Sequence, residues 1–164
     1  MNRARVWGMA HPTASHLLRA VMENARDFEQ ARAMLSKEPI AAPATFSLAG
    51  IAPGETCVVE RTEDRAHVID CRACATTHWH GLDHDAHASG FDSPGRLAAI
   101  GCLTELAFDP EFAWLKPPVL NHVTQLATVA DAAAGRLEAQ GYEDARPATR
   151  MLAWSQEGAE PVSP

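Results

Sequence analysis

The residues best suited to chemistry lie in one short segment that combines a Cys-x-x-Cys pair with a run of histidines. These residues are Cys71, Cys74, His78, His80, His84 and His87. Thiolate and imidazole groups are the usual ligands of tetrahedral zinc. A metal-binding module that uses the first four of them, Cys71, Cys74, His78 and His80, is therefore one hypothesis for this chain.

The spacing of these residues argues against a zinc site. Structural zinc sites usually pair their ligand couples across a loop of about a dozen residues, whereas three residues separate Cys74 from His78. In a strand, Cys71 and Cys74 would point to opposite faces, because side chains alternate. A thioredoxin-like redox motif starts a helix, and the residues downstream have no helical pattern. The simpler interpretation is a strand that runs into a polar, His-rich loop.

The residues alone assign no catalytic nucleophile. The sequence contains no Gly-x-Ser-x-Gly motif, so an α/β-hydrolase has no support. Cys57 and Cys102 lie in apolar strand-like and helix-like contexts, which favour buried structural thiols. A Cys–His pair depends on contact in space, which the sequence does not show.

Composition and charge narrow the class of protein. The 164 residues are 46% hydrophobic and 21% charged, as in a globular protein. The formal charge of −7, without a Lys/Arg cluster, argues against a nucleic-acid partner, and no apolar run approaches the ~20 residues of a membrane span. With four cysteines and no signal-peptide pattern, we expect a reduced, cytoplasmic protein. We predict one domain over residues 1–155 and a disordered acidic tail over 156–164.

Hydrophobic periodicity and capping residues predict the elements that position these groups. Helices are expected over 14–24, 28–37 and 94–107, the last capped by Ser93, and a short further helix from Asp109 to Leu115. Strands are expected within 45–70 as an antiparallel meander, and near 122–130, 135–142 and 148–154. We therefore predict an α+β fold in which 45–70 and 122–154 form one mostly antiparallel sheet, with the helices packed on one face.

Six groups of motifs follow one another in a fixed order between about residues 10 and 145. They are residues 11–19, 24–43, 46–50 with 54–61, 76–79, 92–96, and 118–121 with Thr124 and Gly135. In residue pattern and order they resemble the acid ceramidase and N-acylethanolamine acid amidase family of N-terminal-nucleophile amidases. These enzymes belong to the choloylglycine hydrolase superfamily and hydrolyse linear amides.

The resemblance implies a fold, a substrate class and candidate site residues. The fold would be part of a four-layer αββα sandwich, the substrate a small amide with an N-acyl bond, and no cofactor is implied. Thr77 occupies the position of the family's oxyanion-binding Asn, and Arg96 that of an Arg near the following helix. The same resemblance marks His78, Trp79 and Asn121 as substrate-binding candidates. A Thr hydroxyl donates a hydrogen bond but is shorter than Asn, and Arg96 has an alternative role as the ion-pair partner of Asp92.

The family's nucleophile has no counterpart in these residues. Such enzymes use an N-terminal cysteine with its own amine as the base, and no cysteine precedes Cys57 here. We therefore expect a fragment, subunit or degenerate relative of an amidase that is inactive alone. Its expected partner is a complementary N-terminal amidase segment or chain.

Overall fold

A computed structural model describes residues 11–70, 74–82, 90–101, 112–156 and 158–161. The chain divides into two compact units, residues 1–89 and residues 90–164. Within the described residues, helices and antiparallel sheets give the predicted α+β class. None of the helices in these residues is long and apolar enough to cross a membrane.

The first unit begins with two helices that end where the sequence predicts. They are α1, Ala14–Asn24, and α2, Phe28–Lys37. The Thr13 hydroxyl accepts a hydrogen bond from the N–H of His16, and the Asp27 carboxylate accepts one from the N–H of Gln30 at 2.7 Å. Both side chains satisfy a donor that the first helical turn leaves open. Local capping chemistry therefore fixes both helix starts.

The sheet of the first unit is the predicted antiparallel meander. Its strands are β1, Ala44–Ala49, β2, Thr56–Arg61, and β3, Ala66–Asp70, in the order β1-β2-β3. Both helices pack against this sheet through a shared core, which contains Leu17, Val21, Ala31, Leu35, Ile40, Phe46, Cys57 and Val59. The prediction of helices on one face is therefore confirmed within this unit.

The central strand β2 is buried on both faces, unlike its neighbours. Cys57 and Val59 face the helices, and Arg61 on the same face donates hydrogen bonds to the carbonyl oxygens of Leu35 and Glu38 near the end of α2. Val58 and Glu60 alternate with them and are just as inaccessible. One face of strand β2 therefore packs against α2, and its opposite face is also buried.

The second unit contains one described helix and a second antiparallel sheet. The helix is α3, Ser93–Gly101, and the strands are β4, Leu126–Asp131, β5, Arg136–Glu143, β6, Arg146–Pro147, β7, Leu152–Ser155, and β8, Gly158–Pro161. The order is β4-β5-β7-β8, with β6 paired to β5. A small core of Phe112, Leu115, Ala127, Val129 and Tyr142 stabilises this unit.

The prediction that residues 45–70 and 122–154 share one sheet is wrong. Among the described residues they form two sheets, in which every strand pair except β5 with β7 joins neighbours along the chain. An alternating pattern fixes which residues share a face, but it does not specify which distant edges pair. Hairpins between neighbouring strands close over short turns, and they account for nearly all the pairing seen here.

Two local expectations also differ from the structure. Helix α3 includes Ser93, so the predicted cap is replaced by Asp92, whose carboxylate accepts a hydrogen bond from Gly95 N–H at 3.1 Å. Residues 112–115 form turns rather than the end of a helix, and the predicted start at Asp109 lies outside the described residues. Strand β8, which lies within residues 156–164, pairs with β7 in the register Ser155 to Gly158.

Candidate functional site

The motif at residues 76–79 lies on a loop that a buried carboxylate holds in place. Glu60 on β2 is only 2% exposed. Its Oε1 accepts a hydrogen bond from the N–H of His80 at 2.6 Å, and its Oε2 accepts bonds from the N–H groups of Gly81 and Leu82 at 2.9 and 3.0 Å. Three consecutive backbone donors therefore converge on one side chain.

The local sequence explains this arrangement. Glu60 points away from α2 because it alternates with Val59 and Arg61 along the strand. A carboxylate buried without partners would be strongly destabilising, and backbone N–H groups can stabilise its charge. Gly81 suits the close approach, since a Cβ at this position would lie 2.0 Å from Cδ2 of His67, the residue paired with Glu60 in β3.

The loop brings three of the predicted site residues together immediately before the Glu60 contact. Thr77 is exposed, and His78 and Trp79 are half-buried. Nδ1 of His78 is hydrogen-bonded to Oγ1 of Thr76 at 3.0 Å, which restrains the imidazole ring. A hydroxyl donor, an imidazole and an indole are thus carried on one short, tethered segment.

The other two predicted residues lie in the second unit. Arg96 is half-buried in the first turns of α3, and its backbone N–H donates to the carbonyl oxygen of Asp92 at 2.9 Å. Asn121 is buried, and its side chain shapes a turn: Nδ2 donates to the carbonyls of Pro118 and Val119, and Oδ1 accepts from Val123 N–H. The amide of Asn121 is therefore engaged within the turn, and its role in substrate binding stays a prediction.

The metal hypothesis finds no support in the described part of the loop. Within that part, Cys74, His78 and His80 do not gather with other His, Cys, Asp or Glu side chains into a group of three. Cys71 lies outside the described residues. The Glu60 carboxylate, which contacts this segment, already accepts hydrogen bonds from three backbone donors.

Cys57 has the properties of a structural thiol. It is buried in the core of the first unit. Burial raises the pKa of the Cys57 thiol, and the nearby Arg32 opposes this only in part. A nucleophilic cysteine needs the opposite shift, so this environment keeps Cys57 protonated and unreactive.

Sequence reasoning did not identify the role of Glu60. The available signal was a charged pair, Glu60 and Arg61, at the end of an apolar, β-branched strand. Charged residues are almost never fully buried unless they are paired. Adjacent charges on opposite faces of such a strand therefore indicate two buried polar contacts, and the structure contains both.

An α+β chain with antiparallel sheets is consistent with an N-terminal-nucleophile fold, and sequence comparison is more specific. No family model matches the chain. The acid ceramidases of Homo sapiens and Pan troglodytes are each 32% identical to it over 134 residues, which is 74% of this chain and 33% of theirs. That of Balaenoptera acutorostrata scammoni is 43% identical over 54 residues, 33% of this chain and 13% of its own.

These similarities confirm the resemblance that the motifs indicate. The chain has an acid ceramidase-like relationship, and it spans about a third of the length of the relatives that match over 134 residues.

Proposed function

We propose that this chain contributes part of an acid ceramidase-like amidase that hydrolyses linear N-acyl amide bonds. The observation that carries the proposal is the similarity to acid ceramidases over 134 residues. The tethered loop with Thr77, His78 and Trp79 supports it, because three of the five candidate side chains lie together on this short segment.

Each candidate residue has a proposed role in amide hydrolysis. The hydroxyl of Thr77 donates to the oxyanion that forms when the amide carbonyl is attacked, and a single such donor is worth about 3–4 kcal/mol. His78 and Trp79 contact the acyl amide, and the aromatic surface of Trp79 suits an apolar chain. Arg96 supplies positive charge, and Asn121 contributes to substrate binding from the turn at residues 118–124.

The nucleophile is proposed to come from a complementary amidase segment, either in the same longer polypeptide or in another chain. In such enzymes an N-terminal cysteine attacks the carbonyl and its own amine serves as the base. The one cysteine buried in a described core, Cys57, has a raised pKa and is a poor candidate for this role. We further propose that the 164 residues alone have no turnover, that no cofactor is needed, and that the protein is cytoplasmic.

Hydrolysis of a fluorogenic N-acyl amide tests the proposal. The 164-residue chain is assayed alone and after co-expression with the coding sequence immediately upstream of it. We expect no turnover alone, and turnover with the complementary segment that is lost when its N-terminal cysteine becomes Ala. Turnover by the chain alone that disappears on substitution of Cys57, Cys71, Cys74 or Cys102 would contradict the proposal, as would an inactive, well-folded complex.

A further inference from the structure

The contact between Glu60 and the loop joins the central strand of the first sheet to the segment that carries Thr77, His78 and Trp79. Strand β2 is paired on both sides, with Glu60 opposite Thr45 in β1 and His67 in β3. Loop residues 74–82 belong to no helix or strand. The three N–H bonds to Glu60 therefore fix the position of the loop relative to the sheet.

The carboxylate of Glu60 is committed to this contact. It is 2% exposed, and both of its oxygens accept backbone hydrogen bonds. A side chain so enclosed does not touch a ligand, so it does not act as a general base. Its negative charge strengthens the contact with the loop, because hydrogen bonds to an ionised acceptor are shorter and about twice as strong as neutral ones.

We infer that Glu60 is a positioning residue, whose negative charge fixes residues 80–82 and thereby sets the location of Thr77, His78 and Trp79. The loop geometry does not depend on the proposed function, whereas the consequence for catalysis rests on it.

The substitution Glu60→Gln separates charge from shape. Gln has the same length, but one carboxylate oxygen becomes an NH₂ group, which is a donor. In either orientation this donor faces a backbone N–H, so His80 loses its acceptor or Gly81 and Leu82 lose theirs. Glu138→Gln is the matched control, because Glu138 is also buried on a strand but lies in the second unit.

Amide hydrogen exchange measured by NMR on the whole chain tests whether Glu60 anchors the loop at residues 80–82. In Glu60→Gln we expect the amides of residues 80–82 to exchange about 10- to 100-fold faster, as loss of a charge-assisted bond predicts. The amides of β2 should keep their protection, and the indole N–H signal of Trp79 should shift. Glu138→Gln should change none of these signals at residues 79–82.

Two results would overturn the inference. One is unchanged exchange at residues 80–82 in a folded Glu60→Gln chain, and the other is faster exchange without any shift of the Trp79 signal. If Glu60→Gln does not fold, Glu60→Asp replaces it, because this side chain keeps the charge but is too short to reach all three donors. We then expect faster exchange at one or two of the three amides.

An activity measurement distinguishes this inference from the proposed function. In the active complex with the complementary segment, Glu60→Gln should lower kcat more than it raises KM, whereas Glu138→Gln should change neither. If the complex is inactive, the proposed function fails while the exchange data still decide the anchor. If the loop loosens and kcat is unchanged, the anchor holds and the positioning role is wrong.

Discussion

The guanidinium of Arg61 donates a hydrogen bond to the carbonyl oxygen of Glu38 at 2.7 Å, and it also bonds the carbonyl of Leu35. Arg61 directly follows Glu60 on β2, and the two side chains point to opposite faces of the sheet. Arg61 therefore links β2 to the end of α2, and Glu60 links the same strand to the loop at residues 80–82.

Replacement of Arg61 by Met should destabilise the first unit. The substitution removes the guanidinium donors from the carbonyl oxygens of Leu35, which is buried, and Glu38, and we expect a loss of about 2–3 kcal/mol. Urea denaturation followed by circular dichroism measures the effect. The control is Arg19→Met, since Arg19 pairs with Glu23 on an exposed helix face and should change stability by no more than about 0.5 kcal/mol. Equal effects of the two substitutions would refute the structural role of Arg61.

Gly81 and His67 should behave as a coupled pair. A methyl group at position 81 would overlap the His67 ring, so Gly81→Ala must displace either the ring or the loop. We expect a destabilisation of about 1 kcal/mol, largely relieved when His67→Ala is added. A double-mutant cycle of unfolding free energies measures the coupling, and strictly additive effects would show that the loop does not approach β3 in this way.

The Cys57 thiol should make stability fall at alkaline pH. Burial raises its pKa in the folded chain, so the unfolded thiol, with a pKa of about 8.5, loses its proton first. The contribution is complete below that pH and is lost as pH rises towards the folded pKa. Unfolding free energies at pH 7 and pH 10 should therefore differ more in the native chain than in Cys57→Ala, and an equal or smaller difference would contradict the burial of this thiol.

The His-rich segment should not hold zinc as a structural metal. Purified protein is expected to contain well under one zinc per chain, and a chelator should leave its thermal midpoint unchanged, because a structural metal contributes directly to folding. Elemental analysis and thermal unfolding test both points. Near-stoichiometric zinc that disappears together with stability in Cys74→Ser and His78→Ala would instead establish the metal-binding module.

The sequence was sufficient to predict elements that depend on local chemistry. Thr13 and the Asp27–Gln30 pair place the helix starts, and β-branched residues place the meander. The division into two sheets was missed, because strand pairing depends on contacts between distant edges rather than on alternation.

The residue that holds the candidate loop was not predicted, for a related reason. The motif containing Thr77 is visible in the sequence, but its anchor joins residues about twenty positions apart. Similarly, the turn that the Asn121 amide stabilises depends on backbone geometry that residue types do not specify, and the role of Asn121 in substrate binding stays a prediction.

The rate of N-acyl amide hydrolysis by the complete complex, compared between Thr77→Val and the native chain, tests the central claim most directly. Val matches Thr in shape but lacks the hydroxyl donor. If Thr77 lies at the oxyanion, kcat should fall by about 10²–10³-fold with little change in KM, and Thr77→Asn should retain or exceed native activity. An unchanged kcat in Thr77→Val would contradict the assignment of this loop to the active site.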